Sequence, residues 1–369
     1  MIQDLMSKSP DELKRIIDKV ALQQRISTDD GLYLLTCQHG DLVHALANFN
    51  RKQRVGEEVL YSSTLHLYPT NLCELACPLC SFYALPSNPK AWFFTPEQLL
   101  EKIHPVLSEL SEVHIVGGIW KECTTEYYQK LFHLIRQTSP TLHIKALTAV
   151  ECDYLAKHSH LSIENILSML LDAGLSSLPG GGAEILVDRV REIIAPKKLS
   201  SQEFLNVHKC AHSLGIPTNM TMLFGHIETP EDIISHLDEV RKLQDISFGI
   251  SSFVPLKFLP ENTRLASIPC MPKDPCRIFS VARLMLDNID NLKALWNYFG
   301  LSTAIQLLHC GANDLGSTAF EEKVSYTAGS KQEKMTESML QQTIRSSGRI
   351  PRKTASGKAA FIDNIAMRT

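Results

Sequence analysis

The chain has 369 residues, 44% hydrophobic, 21% charged and 7% aromatic: enough apolar mass for a sizeable core and too apolar for a disordered chain. Its 37 basic residues against 40 acidic give a formal net charge of −3, so no global field is available to hold nucleic acid or an anionic membrane. The start, MIQDLMSKSPDELKRIIDKV, lacks an apolar signal core and no run of about 18 uncharged apolar residues follows, which makes a soluble, cytoplasmic protein the expectation.

Up to about residue 58 the chain reads as helical. DELKRIIDKVALQQRIS places Ile16, Ile17 and Val20 on one face, and the next run keeps the helical spacing up to a glycine stop. From residue 60 the period changes. Short β-type runs recur at 64–70, 112–118, 142–149, 175–181, 217–225 and 247–256, separated by longer helical patterns that often start with Ser or Thr and a partner three residues on. A strand spacing of roughly 30–45 residues indicates βα units around a parallel sheet. The fold class expected is α/β: a (βα) barrel, partial or full, with N-terminal helices, a helical C-terminal extension and functional loops at the strand C-terminal ends. A flat doubly wound sheet has the same spacing and stays open. IPCMPKDPCRI (268–278) reads as a loop, helix resumes after it, and the last twenty residues are expected to be weakly ordered. The division expected is 1–58 for the N-terminal helices, 59–300 for the barrel core and 301–369 for the extension.

Ten cysteines occur, and a chain this long with no export signal does not call for disulfides. Three sit together as Cys73-x3-Cys77-x2-Cys80, directly after the first strand-like run. Thiolates favour iron–sulfur clusters, zinc and copper(I). A structural zinc site wants a second ligand pair, for which only Cys270 and Cys276 offer themselves. Three thiolates on one loop suit a cubane cluster with one iron left open. A chance grouping or a structural metal is the plain alternative.

This spacing on a loop after the first strand of a βα barrel resembles the radical S-adenosylmethionine (SAM) superfamily. The resemblance implies a [4Fe–4S] cluster on Cys73, Cys77 and Cys80, with SAM on the open iron as the source of a 5′-deoxyadenosyl radical. The segments HLYPTNLC, EVHIVGG, HIKALTAVECDYLAK, SLPGGGAEILVDRVREIIAPKK, TMLFGHIET, FVPLKFLPENTRL, ARLMLDNIDNLKALW and GANDLGS, from about 66 to 317, further resemble the aminofutalosine synthase family of the futalosine route to menaquinone. The related cyclase shares PGGGAEILVDRVR, whereas the HIVGG strand end and NLKALW favour the synthase. Three departures stand out: Pro78-Leu79 before the third cysteine, where an aromatic is usual, Ile119-Trp120-Lys121 after the HIVGG glycines, where a histidine is usual, and the end of the chain.

Against this background Gly117 and Gly118 are candidates to meet SAM's methionine moiety, or only form a tight turn. Glu151, past a strand end, is a candidate hydroxyl acceptor for SAM's ribose, or a solvated loop acid. Glu184 follows a glycine-rich turn whose amides could hold a ribose or carboxylate, or is a first-turn helix acid. His226, with Glu228 in GHIET, and Arg283 on a later helix are the candidates to face the substrate; a packed rim histidine and an interhelix ion pair are their plain readings. The resemblance implies a synthase that adds the 5′-deoxyadenosyl radical to an enolpyruvyl benzoate, consumes SAM as co-substrate and takes electrons from a donor such as flavodoxin or ferredoxin, with neither nucleic acid nor membrane as partner. The rivals are the cyclase or another hydrogen-abstracting enzyme, and a non-catalytic iron–sulfur protein.

Overall fold

The computed structural model describes residues 2–267, 273–330 and 335–355, so Cys270 and the last fourteen residues of the expected tail lie outside the described residues. Among the described residues eight strands occur in chain order: β1 (Glu58–Ser62), β2 (Thr64–Leu67), β3 (Glu112–Ile115), β4 (His143–Ala146), β5 (Thr218–Phe224), β6 (Ile250–Lys257), β7 (Asp314–Ser317) and β8 (Ile350–Lys353). Every strand pairing among them is parallel.

Single bridges join these pieces into a ring. β2 pairs β3 and β3 pairs β4; Lys145 bridges Ser177, and Leu178 bridges Thr218 of β5. β5 pairs β6, Phe253 of β6 bridges Leu292, and Lys293 bridges Asp314 of β7. β7 pairs β1, and Phe320 just beyond it bridges Leu65 of β2. With β1 and β2 as one nearly continuous strand, eight parallel segments close the barrel, so the full form of the expected fold is the one present, and the flat sheet is excluded. The stretches at 292–293 and 314–317 were not anticipated as strands. They lie in the region read as helix and polar extension, where β7 and β8 pair on the two edges of β1.

The outward faces of the strands, such as Leu65, Leu67, Val113, Ile115 and Ile144, are buried under the surrounding helices. Those helices start at the caps the sequence shows. Thr95, Thr148, Ser200 and Thr229 each accept a backbone N–H three residues on and receive the reciprocal side-chain bond, a capping box. Of the four N-terminal helices, Ile2–Lys8, Asp11–Ala21, Thr28–Thr36 and Gly40–Val55, the last two pack against the late helices Pro230–Ser247 and Pro275–Met285, and the first two pack on each other and on Gly40–Val55. Arg25 pairs with both Asp245 and Asp287, and Arg54 donates to Leu286 O and to Asp290. No helix among the described residues is long and apolar enough to cross a membrane.

Candidate active site

Strand periodicity sends alternate residues into the barrel, and here many of them are polar. In the parallel register Thr64, Glu112 and His143 stand side by side on β2, β3 and β4; one step up come His66, His114 and Lys145. The lower level is tied together by hydrogen bonds. Glu112 accepts from Lys145 Nζ at 2.7 Å and from Thr64 Oγ1 at 2.8 Å, and His143 Nε2 lies 2.8 Å from Ser177 Oγ. Across the barrel Lys293 Nζ is 3.3 Å from Asp314 Oδ2. Burial opposes charge on Glu112, but Lys145, Lys293 and His143 hold its carboxyl well below the usual range. Burial lowers Lys145 while Glu112 pulls it back, and it raises Asp314 against Lys293.

Above this floor lies a cavity of about 340 Å³. Its walls are mostly apolar, with Val116, Leu223, Val254, Leu256, Phe258 and Leu295 among them. One end touches Leu79 and Cys80 of the cysteine loop, the other His66, His114, Lys145 and Lys293. Burial lowers His66, opposed by Glu322, and pushes His114 well below the usual histidine range with help from Lys145. His66 Nδ1 and His114 Nε2 are buried without a hydrogen-bond partner.

The cysteine loop is fastened at several points. Cys73 N donates to Ala84 O, Glu74 N to Ile119 O and Leu79 N to Ile194 O, at 3.0–3.2 Å. All three thiols are free, Cys77 buried and the other two half-buried. Burial pushes Cys77 up to about 11 and raises Cys80, while Lys198 pulls both down and the amides of Phe82 and Tyr83 favour the Cys80 thiolate. Among the described residues no three Cys, His, Asp or Glu side chains already stand in metal-holding geometry. The donor chemistry nonetheless fits a thiolate-held cluster: three thiols on one loop, a buried ammonium beside two of them and amide N–H groups at a sulfur.

The candidate residues divide. Glu184 lines the cavity, with Lys198 Nζ 2.5 Å from its carboxylate; burial opposes its charge, yet Lys198 lowers it. Gly118 is compelled by packing, because a Cβ there would sit 2.0 Å from Leu72 O. Gly117 N donates to Glu151 Oε1 at 3.1 Å. Glu151 also accepts from Thr148 N and Oγ1, so it closes a capping box; burial pushes it up to about 7 against those donors. It is buried, which corrects the solvated-acid alternative, and it faces a small cleft beside Trp120 rather than the main cavity.

His226 and Arg283 do not line the cavity. The His226 ring stands behind Leu223 and Phe258, with Nε2 2.9 Å from Leu223 O and Nδ1 3.1 Å from Glu228 Oε2. Arg283 is the larger correction. Its guanidinium is buried and donates to Gly311 O, Asp290 O and Asn313 Oδ1, which fastens a helix to the turn before β7 and leaves it turned away from any substrate. Sequence reasoning missed the inward layer, although T-L-H-L-Y at 64–68 carries the signal: polar residues at every second position of a strand apolar on its other face. It also missed Arg191, which donates to carbonyls of Gly182, Ala183 and Leu199 and so frames the glycine turn.

A closed parallel barrel with a three-cysteine loop over a deep chamber defines an enzyme of radical chemistry, and the comparisons agree. The radical SAM superfamily matches residues 67–240 and the CofH/MqnC C-terminal region matches residues 247–361. The chain belongs to the radical SAM superfamily, and its cofactors are a [4Fe–4S] cluster and SAM. It is 35% identical to the aminodeoxyfutalosine synthase of Thermus thermophilus, over 91% of this chain and 92% of that one. It is 34% identical to the 5-amino-6-(D-ribitylamino)uracil–L-tyrosine 4-hydroxyphenyl transferase of Methanoculleus marisnigri, over 88% and 91%. In fold it is similar to methylornithine synthase, with a TM-score of 0.75 at 16% identity, covering 94% of this chain and 99% of that one.

Proposed function

We propose that the protein joins SAM and 3-[(1-carboxyvinyl)oxy]benzoate, with water, to give 6-amino-6-deoxyfutalosine, methionine and bicarbonate. One observation carries the choice: a chamber with mostly apolar walls above a floor holding two buried lysines. An aromatic ring with an anionic end fits that division.

Cys73, Cys77 and Cys80 would hold the cluster, which with SAM supplies the 5′-deoxyadenosyl radical. The remaining tasks fall to the protein itself. The walls exclude water, Lys198 and the amides of Phe82 and Tyr83 steady the thiolates, and the glycine turn packs directly on the backbone of β5: a Cβ on Gly180 would lie 2.7 Å from Asn219 O. Holding the vinyl carbon beside the cysteine end and the benzoate toward the floor is the positioning the chamber provides.

The test is product mass. Anaerobically reconstituted protein given SAM, a reductant and the enolpyruvyl benzoate should yield a mass that joins adenosine to the benzoate skeleton less carbon dioxide. Free 5′-deoxyadenosine as the dominant product would move the protein to hydrogen abstraction, and turnover only of tyrosine with the ribitylaminouracil would move it to the transferases. Changing Cys73, Cys77 or Cys80 to Ala should abolish the cluster absorbance and turnover, whereas Cys210→Ala should preserve both.

A further inference from the structure

The two histidines of the inward layer each keep one buried ring nitrogen that the fold does not bond. His66 and His114 are register partners on adjacent strands, their rings 5.1 Å apart and tilted by 48°. The buried polar groups around them are engaged: Lys145 and Thr64 on Glu112, Lys293 on Asp314, His143 on Ser177. Yet His66 Nδ1 and His114 Nε2 have no partner, although both residues line the cavity. Buried polar atoms without partners are rare because each forfeits the hydrogen bonds it had in water. Two on neighbouring strands, at the deep end of an apolar chamber, mark a place where a ligand completes the bonding.

The charge around the pair selects the ligand. Lys145, the register partner of His114 on β4, and Lys293 bring two ammonium groups close to this level, each paired with a carboxylate, Glu112 and Asp314, while Glu322 acts on His66. A neutral imidazole carries one N–H donor and one acceptor. The donor suits an oxyanion, and the apolar side chains beside it, Val116 and Leu223 among them, suit an aryl ring. We propose that His66 and His114 form the carboxylate subsite of the chamber, recognising the ring carboxylate of an aromatic acid and setting the depth to which the substrate enters. This rests on the function proposed above and adds an orientation: the ring carboxylate retained in the product goes to the floor, and the enolpyruvyl group points back to Cys80. The histidines are positioning residues for that substrate.

The test compares acid with amide. In reconstituted protein holding cluster and SAM, His66→Phe and His114→Phe should raise KM for 3-[(1-carboxyvinyl)oxy]benzoate about ten- to a hundredfold, the worth of one charge-assisted hydrogen bond, and change kcat less. Cluster absorbance and SAM affinity should stay as in the wild type. His66→Gln and His114→Gln, which restore an N–H at similar reach, should recover much of the loss and serve if a Phe variant folds poorly. The analogue with a ring carboxamide should bind wild type weakly and the Phe variants no worse than wild type. Full discrimination of acid from amide in both Phe variants would overturn the subsite. If wild type does not turn over the enolpyruvyl benzoate, the proposed function fails, and the subsite is read from equilibrium binding of 3-hydroxybenzoate against 3-hydroxybenzamide. A preference for the acid that His66→Phe and His114→Phe abolish supports it; no preference in the wild type overturns it.

Discussion

Gly117 and Gly118 are chain neighbours that the structure treats differently, and that difference can be measured. A Cβ on Gly118 would stand 2.0 Å from Leu72 O, 2.7 Å from Leu72 C and 3.0 Å from Cys73 Cβ. The first is a full ångström inside the 3.0 Å that Cβ contacts respect, and the obstacle is backbone, unable to rotate away. A Cβ on Gly117 meets nothing closer than Thr70 O at 3.1 Å, a squeeze of tenths of an ångström. Gly118→Ala must therefore push the Leu72–Cys73 backbone outward, against the bond from Gly118 N to Thr70 O at 2.9 Å and that from Cys73 N to Ala84 O. Overpacking against fixed backbone costs about 1–3 kcal/mol, or a fall in Tm of roughly 1–4 °C in a protein of this size. Because the displaced atoms carry a cysteine of the proposed ligand loop, the loss should concentrate there. Iron per chain and visible absorbance after anaerobic reconstitution should drop several-fold in Gly118→Ala, while Gly117→Ala stays near wild type. Equal iron and equal Tm in the two variants would refute the claim that this glycine exists to let the cysteine loop lie against β3.

Two further outcomes follow from buried charge. Arg283→Met should strip the partners from Gly311 O, Asp290 O and Asn313 Oδ1 and cost about 3 kcal/mol or more by denaturant titration, with kcat per folded molecule preserved; lost turnover at unchanged stability would return this residue to the substrate. For Glu151, unfolded chains ionise near 4.5 whereas the folded carboxyl keeps its proton to about 7, so this group lowers stability progressively between those values and by a constant amount above them. Glu151→Gln, which preserves the cap, should accordingly gain about 1–3 kcal/mol over wild type on going from pH 4.5 to pH 8, and a difference between the two proteins that does not vary with pH would refute the raised carboxyl.

What could be read beforehand depended on where the physics is local. Helix caps at Thr95, Thr148, Ser200 and Thr229 are written in four consecutive residues, and the longer strands show their period directly. β7, Asp314–Ser317, is four residues with an aspartate and a glycine, and the ring segment at 292–293 rests on single bridges, so neither carries a run long enough to show a period. They are strands because the ring needs them. The cysteine triplet was legible since its chemistry lies in residue type and spacing. The roles of His226 and Arg283 were not, because position after a strand or on a helix does not state which way a side chain turns. The inward layer escaped for a related reason: barrel interiors are expected to be apolar, so Glu112, His114 and Lys145 read as ordinary strand polarity until the register set them side by side.

The two flanks of β1 bear on how the chain assembles. Thr64 meets Thr318, 254 positions later, and Glu58 meets Arg352, 294 positions later. The last two N-terminal helices likewise dock on segments beyond residue 230. A nascent chain thus carries β1, and the thiols soon after it, with open edges until partners 254 and 294 positions later have been made. Such long-range pairing is paid for in loop entropy before it returns any contact, which slows folding and prolongs exposure to aggregation. The loop that is to receive the cluster is therefore made long before the segments that close the strand beside it.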